Sequence, residues 1–129
     1  MPIVFQWDDD AQTIARFTIE APINTWDEYH TAVDEYCRLI ETLPHTVHII
    51  FDAPTDVAMP PGNPIANLLR TFKMFPQNAG ATCSIIAPGL ARRMLRAVFA
   101  IINSGHKLVP DLDAAYALIE AYEVATPTT

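Results

Sequence analysis

The sequence predicts a single α/β domain, residues 1–129, in which a mostly parallel, mixed sheet carries packed helices in the order ββαβαβαβα. Three observations lead there. After an opening pair of strands, short β-branched runs alternate with longer segments of helical apolar spacing, which is the pattern of βαβ units and a parallel sheet. The 129 residues suit one domain with one core. Half of them are hydrophobic and only 18% are charged, the balance of a compact globular chain and not of a disordered one.

The first two runs, "PIVFQW" and "TIARFTIE", alternate apolar and polar residues around the polar turn "DDDAQ", so the chain opens with a hairpin. In "NTWDEYHTAVDEYCRLIETLP" Thr25 and Glu28 form a capping box, and Asp27 and Glu28 complement the helix dipole. Trp26, Tyr29, Val33, Tyr36, Cys37 and Ile40 recur at helical spacing until Pro44, which defines the first helix and leaves His30 on its exposed side. "TVHIIF" is a buried central strand. Asn63 then caps a second helix with Pro64 at its first position, an inward stripe of Ile65, Leu68, Leu69, Phe72 and Phe75, and Pro76 at its end.

"ATCSIIA" is another buried strand, and "PGLARRMLRAVFAIINSG" a third helix that turns Leu90, Met94, Leu95, Val98, Ile101 and Ile102 inward and stops at Gly105. "HKLV" is the last strand. Asp111 or Asp113 caps a fourth helix with Leu112, Ala115, Ile119 and Tyr122 inward, and "VATPTT" is a frayed tail. No repeat, linker or low-complexity tract interrupts this order. Thioredoxin-like and flavodoxin-like alternatives fit less well, because the chain has neither a Cys-x-x-Cys nor a Gly-rich phosphate loop after its first strand.

Composition narrows the function classes. The start, "MPIVFQWDDD", lacks a basic region and a signal-like apolar stretch, and no run approaches the roughly 20 apolar residues of a membrane span, so a cytoplasmic protein is expected. A formal charge of -7 argues against nucleic acid as the main partner. Cys37 and Cys83 each sit in an apolar pattern and are expected to be buried, reduced thiols. His45 and His48, three apart in an extended segment, face opposite ways and should not share a metal. His106 has no acidic or Cys partner within sequence reach. Ser84 and Ser104 lack a nucleophile elbow, and no acid and histidine can be assigned to them. A non-enzyme without metal or cofactor is the expectation.

Several segments together resemble the STAS domain family, the fold of bacterial anti-sigma-factor antagonists. "IIFDAP" is similar to the family's central strand ending in Asp-Leu-Ser, and "PPGNPIANLLR" to the loop and helix that carry its Asp-Ser-Ser-Gly switch. "CSIIAPGLARRMLRA" is similar to the strand and helix that follow, and "HKLVPDLDAAYALI" to the closing strand and helix. The resemblance implies a regulatory, protein-binding module whose switch serine is phosphorylated by a partner kinase. With Gly62 in the place of the motif glycine, however, the two serines become Pro60 and Pro61 and the Asp becomes Met59. Proline has no hydroxyl, so no phosphosite is expected there. Thr55, the nearby hydroxyl, reads as a turn former.

Two features remain as candidates. Asp52, Thr55 and Asp56 lie where the central strand leaves the sheet, the carboxyl edge at which α/β proteins hold ligands. Charge is also segregated: Met1–Asp56 holds eleven acidic and two basic residues, Val57–Pro110 six basic and none acidic, and Asp111–Thr129 four acidic and none basic. Arg70 and Lys73 share a face of the second helix, and Arg92, Arg93 and Arg96 cluster on the third. The plainer alternative is that acidic and basic helices neighbour one another and exchange surface ion pairs. The expected function is a non-catalytic interaction module that meets an acidic protein partner, or a second copy as a homodimer, through the second and third helices. A binding protein for a small apolar or anionic ligand, lined by Met59, Phe72, Met74, Phe75, Met94 and Phe99, is the alternative.

Overall fold

The computed structural model describes residues 3–20, 23–53, 60–86 and 106–125, together with Gly89, Arg93 and Arg96. Five strands, β1 (Ile3–Trp7), β2 (Ile14–Ile19), β3 (Val47–Ala53), β4 (Ala79–Ile86) and β5 (Lys107–Val109), form one sheet in the order β1-β2-β3-β4-β5. β1 and β2 are antiparallel and every later pairing is parallel. Three described helices pack on it: α1 (Trp26–Glu41), α2 (Pro64–Lys73) and α3 (Leu112–Ala125). The α/β class with a mixed sheet follows the expected order. Of the third predicted helix, only Gly89, Arg93 and Arg96 are described, Arg93 and Arg96 being helical; Gly105 and the rest of that segment lie outside the described residues. Val124 and Ala125, expected in the tail, still belong to α3.

The strands feed two layers because their side chains alternate. Val47, Ile49, Phe51 and Ala53 of β3 join Phe17, Val33, Cys37, Ile40 and Leu68 in the core under α1 and α2. Ile50 turns the other way and packs with Ala81, Cys83, Ala115 and Ile119 under α3. The larger core is aromatic: Phe17 meets Phe51 edge-on at 4.8 Å, and Phe5 stacks on Tyr36 at 4.6 Å. Such pairs add roughly 0.5–1.5 kcal/mol each beyond burial.

Capping follows the local sequence. The Thr25 hydroxyl accepts from the Glu28 amide at 3.1 Å, Asn63 Oδ1 from the Ala66 amide at 3.1 Å, and Asp111 Oδ1 from the Ala114 amide at 2.8 Å, which settles the cap of α3 on Asp111. In the hairpin, Gln12 takes φ 59° and Asp9 accepts from the Thr13 and Ile14 amides and the Thr13 hydroxyl. Burial alone would raise the Asp9 carboxyl; these hydrogen bonds outweigh it and hold the group below its ordinary pKa.

The end of the sheet where the parallel strands begin is tied by side chains. A register shift between Val47 and Ile49 interrupts the β3–β4 ladder at His48. There His48 Nδ1 accepts from the Ala81 amide at 2.9 Å, so Nε2 carries the proton and donates to Glu123 Oε1 at 3.0 Å. The ring passes so close to Gly80 that a Cβ there would lie 2.6 Å from Nδ1. Asn78 Nδ2 faces the carbonyls of Ile40, Leu43 and His45 at 2.9, 3.4 and 3.1 Å and fastens the end of α1 to the loop before β4.

Candidate functional site

Of the candidates at the carboxyl edge of β3, Asp52 alone is described. Thr55, Asp56 and Met59 lie outside the described residues. Asp52 alternates with Phe51 and Ala53, so it sits on the α3 side of the sheet, opposite the core under α1 and α2. Its carboxyl is raised by burial, lowered in part by the Arg16 guanidinium and raised again by Asp8. Arg16 Nε meets Asp8 Oδ1 at 3.2 Å, the Tyr116 hydroxyl donates to Asp8 Oδ2 at 2.6 Å, and the Gln6 amide oxygen, turned toward Arg16, accepts from Nε at 3.1 Å. Asp52 therefore flanks a polar cluster that fastens α3 to the hairpin.

The proline loop lies over α1. Pro60 is buried, Pro61 and Gly62 are exposed, and Gly62 has φ 124°. A Cβ at Gly62 would stand 3.1 Å from Trp26 Cδ1, so only glycine combines that backbone with so close an approach to the indole. The loop is thus moulded to Trp26. Neither proline position offers a hydroxyl.

Next to it, α1 and α2 enclose an open groove of about 530 Å³ lined by Asp27, His30, Thr31 and Asp34 on one wall and Arg70 and Met74 on the other. His30 corrects the sequence reading. It is 3% exposed, because α2 crosses the side of α1 that apolar periodicity alone leaves to solvent, and its Nε2–H donates to the Asn67 carbonyl at 3.1 Å. Trp26 Nε1 and His30 Nδ1 are buried with no hydrogen-bond partner among the described residues. The groove brings Arg70 opposite Asp27 and Asp34 without closing an ion pair: Asp34 turns instead to Arg38 of its own helix at 3.0 Å. Arg70, Lys73, Arg93 and Arg96 are all exposed, and none pairs with an acid among the described residues. Arg92 lies outside them.

Ser84 and His106 form the pair that sequence reasoning misses. They stand 22 residues apart, yet Ser84 Oγ and His106 Nε2 are 2.8 Å apart, with the two residues 5% and 6% exposed. No local motif could announce it; the only signal is the parallel pairing that sets Ser84 beside Leu108, two residues past His106. The imidazole lies among Phe72 at 4.8 Å, Phe75 at 5.6 Å and Phe51 at 6.3 Å. Burial pushes its pKa down to about 3. A base so weak is poorly matched to removing a serine proton near neutral pH, where catalytic histidines work close to their ordinary value. The pair satisfies a buried hydroxyl within an aromatic layer. Phe72 and Phe75, expected to line a ligand pocket, belong to that layer; Met74 reaches the α1–α2 groove, and Met94 and Phe99 lie outside the described residues.

His45 donates through Nε2 to the Gln12 carbonyl at 2.9 Å while His48 turns to Glu123, so the two do not converge. Among the described residues no group of His, Cys, Asp and Glu side chains is arranged to hold a metal ion. Cys37 and Cys83 are free and buried, and burial pushes their thiols up to about 12 and about 11, Asp34 and Glu41 adding to the shift at Cys37. Among the described residues no helix is long and apolar enough to cross a membrane. Comparison of the chain with protein-family models, with curated proteins and with solved structures returned no match.

Proposed function

We propose that this chain is a non-catalytic cytoplasmic regulatory or protein-interaction module, similar in build to anti-sigma-factor antagonists but without their phospho-switch. It meets an acidic protein surface through Arg70 and Lys73 of α2 and through Arg93 and Arg96. The observation that carries the reading is that all four cations are exposed and unpaired among the described residues. Had the basic segment served only to neutralise α1, Arg70 would close on Asp27 or Asp34 across the groove. Left open, these charges steer an acidic partner and repel basic ones. The low pKa of His106 and the prolines at positions 60 and 61 favour a role without covalent chemistry on this chain.

The test is affinity capture from the protein's own cells with wild type and with the quadruple variant Arg70→Glu, Lys73→Glu, Arg93→Glu, Arg96→Glu, each at low and high salt. One acidic protein should be retained by wild type, released by salt and lost by the variant. Capture indifferent to both changes would remove the basic face from the mechanism. A second reading, a binder of small anionic ligands, is favoured by the volume of the groove and by Arg70 on its wall. Native mass spectrometry would then find a co-purified anion, lost in Arg70→Glu.

A further inference from the structure

The two edges of the sheet are finished differently. β5 is three residues long, carries the exposed Lys107 and runs into Pro110, all devices that discourage further pairing. β1, "IVFQW", is five residues long and holds no charge, proline or glycine. In an antiparallel pair, opposed residues alternate between those that exchange backbone bonds and those that do not. The Asp8 amide donates to the Ile14 carbonyl at 3.0 Å, and β1 and β2 keep one register from Ile3 opposite Ile19 to Trp7 opposite Ala15. Val4 and Gln6 therefore turn their backbone groups toward β2, while Ile3, Phe5 and Trp7 turn theirs outward. Ile3 is covered, at 2% exposure, so the part of the edge that no described strand covers runs from Phe5 to Trp7.

We propose that β1 is a self-association edge, on which a second copy of the chain lays its own β1 antiparallel. Phe5 of each copy stands opposite Trp7 of the other and exchanges both backbone bonds with it, and Gln6 faces Gln6 on the two-fold axis. This register uses the outward-facing groups of Phe5 and Trp7 and leaves covered Ile3 out of the central pairs. It also places two aromatic cross-strand pairs on the α1 side, where Phe5 and Trp7 are half-buried and in edge contact at 5.1 Å. The identical strand is the complementary occupant, since antiparallel pairing of β1 with itself matches large aromatic with large aromatic twice. The association closes as a dimer: the joined sheet ends in β5 on both sides, so a two-fold assembly forms and not a fibre. It draws nothing from the basic face and stands apart from the function proposed above.

The test combines sedimentation with amide exchange. Sedimentation of the whole chain over a wide concentration range should show monomer and dimer in an equilibrium that high salt barely moves, in contrast to partner binding on the basic face. Amide exchange followed by NMR should show the Phe5 and Trp7 amides slowing as dimer accumulates. Gln6→Glu keeps an acceptor for Arg16 but sets like charges opposite one another on the axis, and should weaken the dimer about fivefold. A monomer at every concentration overturns the proposal, as does a dimer in which Phe5 and Trp7 exchange as fast as in the monomer. Protection of both amides with no effect of Gln6→Glu overturns the register.

Discussion

Where the parallel strands begin, side chains tie the backbone together: Asn78 Nδ2 faces three carbonyls, His48 uses both ring nitrogens and Asp9 accepts from Thr13 and Ile14, with Asn78 Oδ1 the one buried side-chain atom of these three residues that has no partner among the described residues. On the α1–α2 face the opposite holds. Arg70 and Lys73 reach solvent unpaired among the described residues, and Trp26 Nε1 and His30 Nδ1 are buried without described partners. The difference separates scaffold from surface. Side chains already bonded across the fold have little left to offer a partner and cost stability when removed, whereas unengaged charge contributes little to the fold and remains available for binding.

The largest expected effect comes from acid, beneath the second of these regions. The His106 imidazole has a folded pKa of about 3 against an ordinary 6.5, so between those values the unfolded chain takes up a proton that the fold does not. Its contribution is full above pH 6.5 and is lost as pH falls toward 3, at up to about 1.4 kcal/mol per pH unit. Urea titrations across that window should show the slope, and His106→Asn should flatten it whatever it does to stability at pH 7. An unchanged slope would mean that the aromatic layer does not hold the ring neutral.

Next in size is Gly80→Ala, which probes the end tied by His48 and Asn78. The added Cβ would meet His48 Nδ1 at 2.6 Å and Thr46 Cγ2 at 2.7 Å, and the ring cannot swing away without dropping its bonds to Ala81 and Glu123. A loss of about 1–3 kcal/mol is expected in denaturant unfolding. A neutral result would show that this end is looser than its hydrogen bonds imply. The smallest effect should come from Arg70→Glu with Lys73→Glu, which ought to stay within about 0.5 kcal/mol of wild type in the same assay. A larger loss would place these cations in the scaffold and erase the contrast.

What the sequence discloses follows the range of the interaction. Thr25, Asn63 and Asp111 each bond an amide three residues on, so the caps of α1 and α2 can be read directly from the chain and that of α3 is narrowed to Asp111 or Asp113. The strands, too, are legible from β-branching and alternation. His30 bonds Asn67, 37 residues away; Ser84 meets His106 across 22; His48 reaches Glu123 across 75. Those pairings depend on which helix crosses which, and periodicity within one segment does not carry that information. Asp52 shows the same limit from another side. Its position at a strand's end is plain in the sequence, but which layer it faces depends on the alternation set by Phe51 and Ala53 within the assembled sheet.

The spatial order of the strands, identical to their order along the chain, has a consequence in time. Each strand that leaves the ribosome finds the edge of its predecessor as its pairing site, so the sheet can be laid down progressively from the hairpin onward, without waiting for a distant strand to be inserted between two others. Growth then runs in one direction only. Every intermediate exposes a fresh parallel edge that the next segment covers, until β5, with Lys107 and Pro110, presents one too short and too polar to extend.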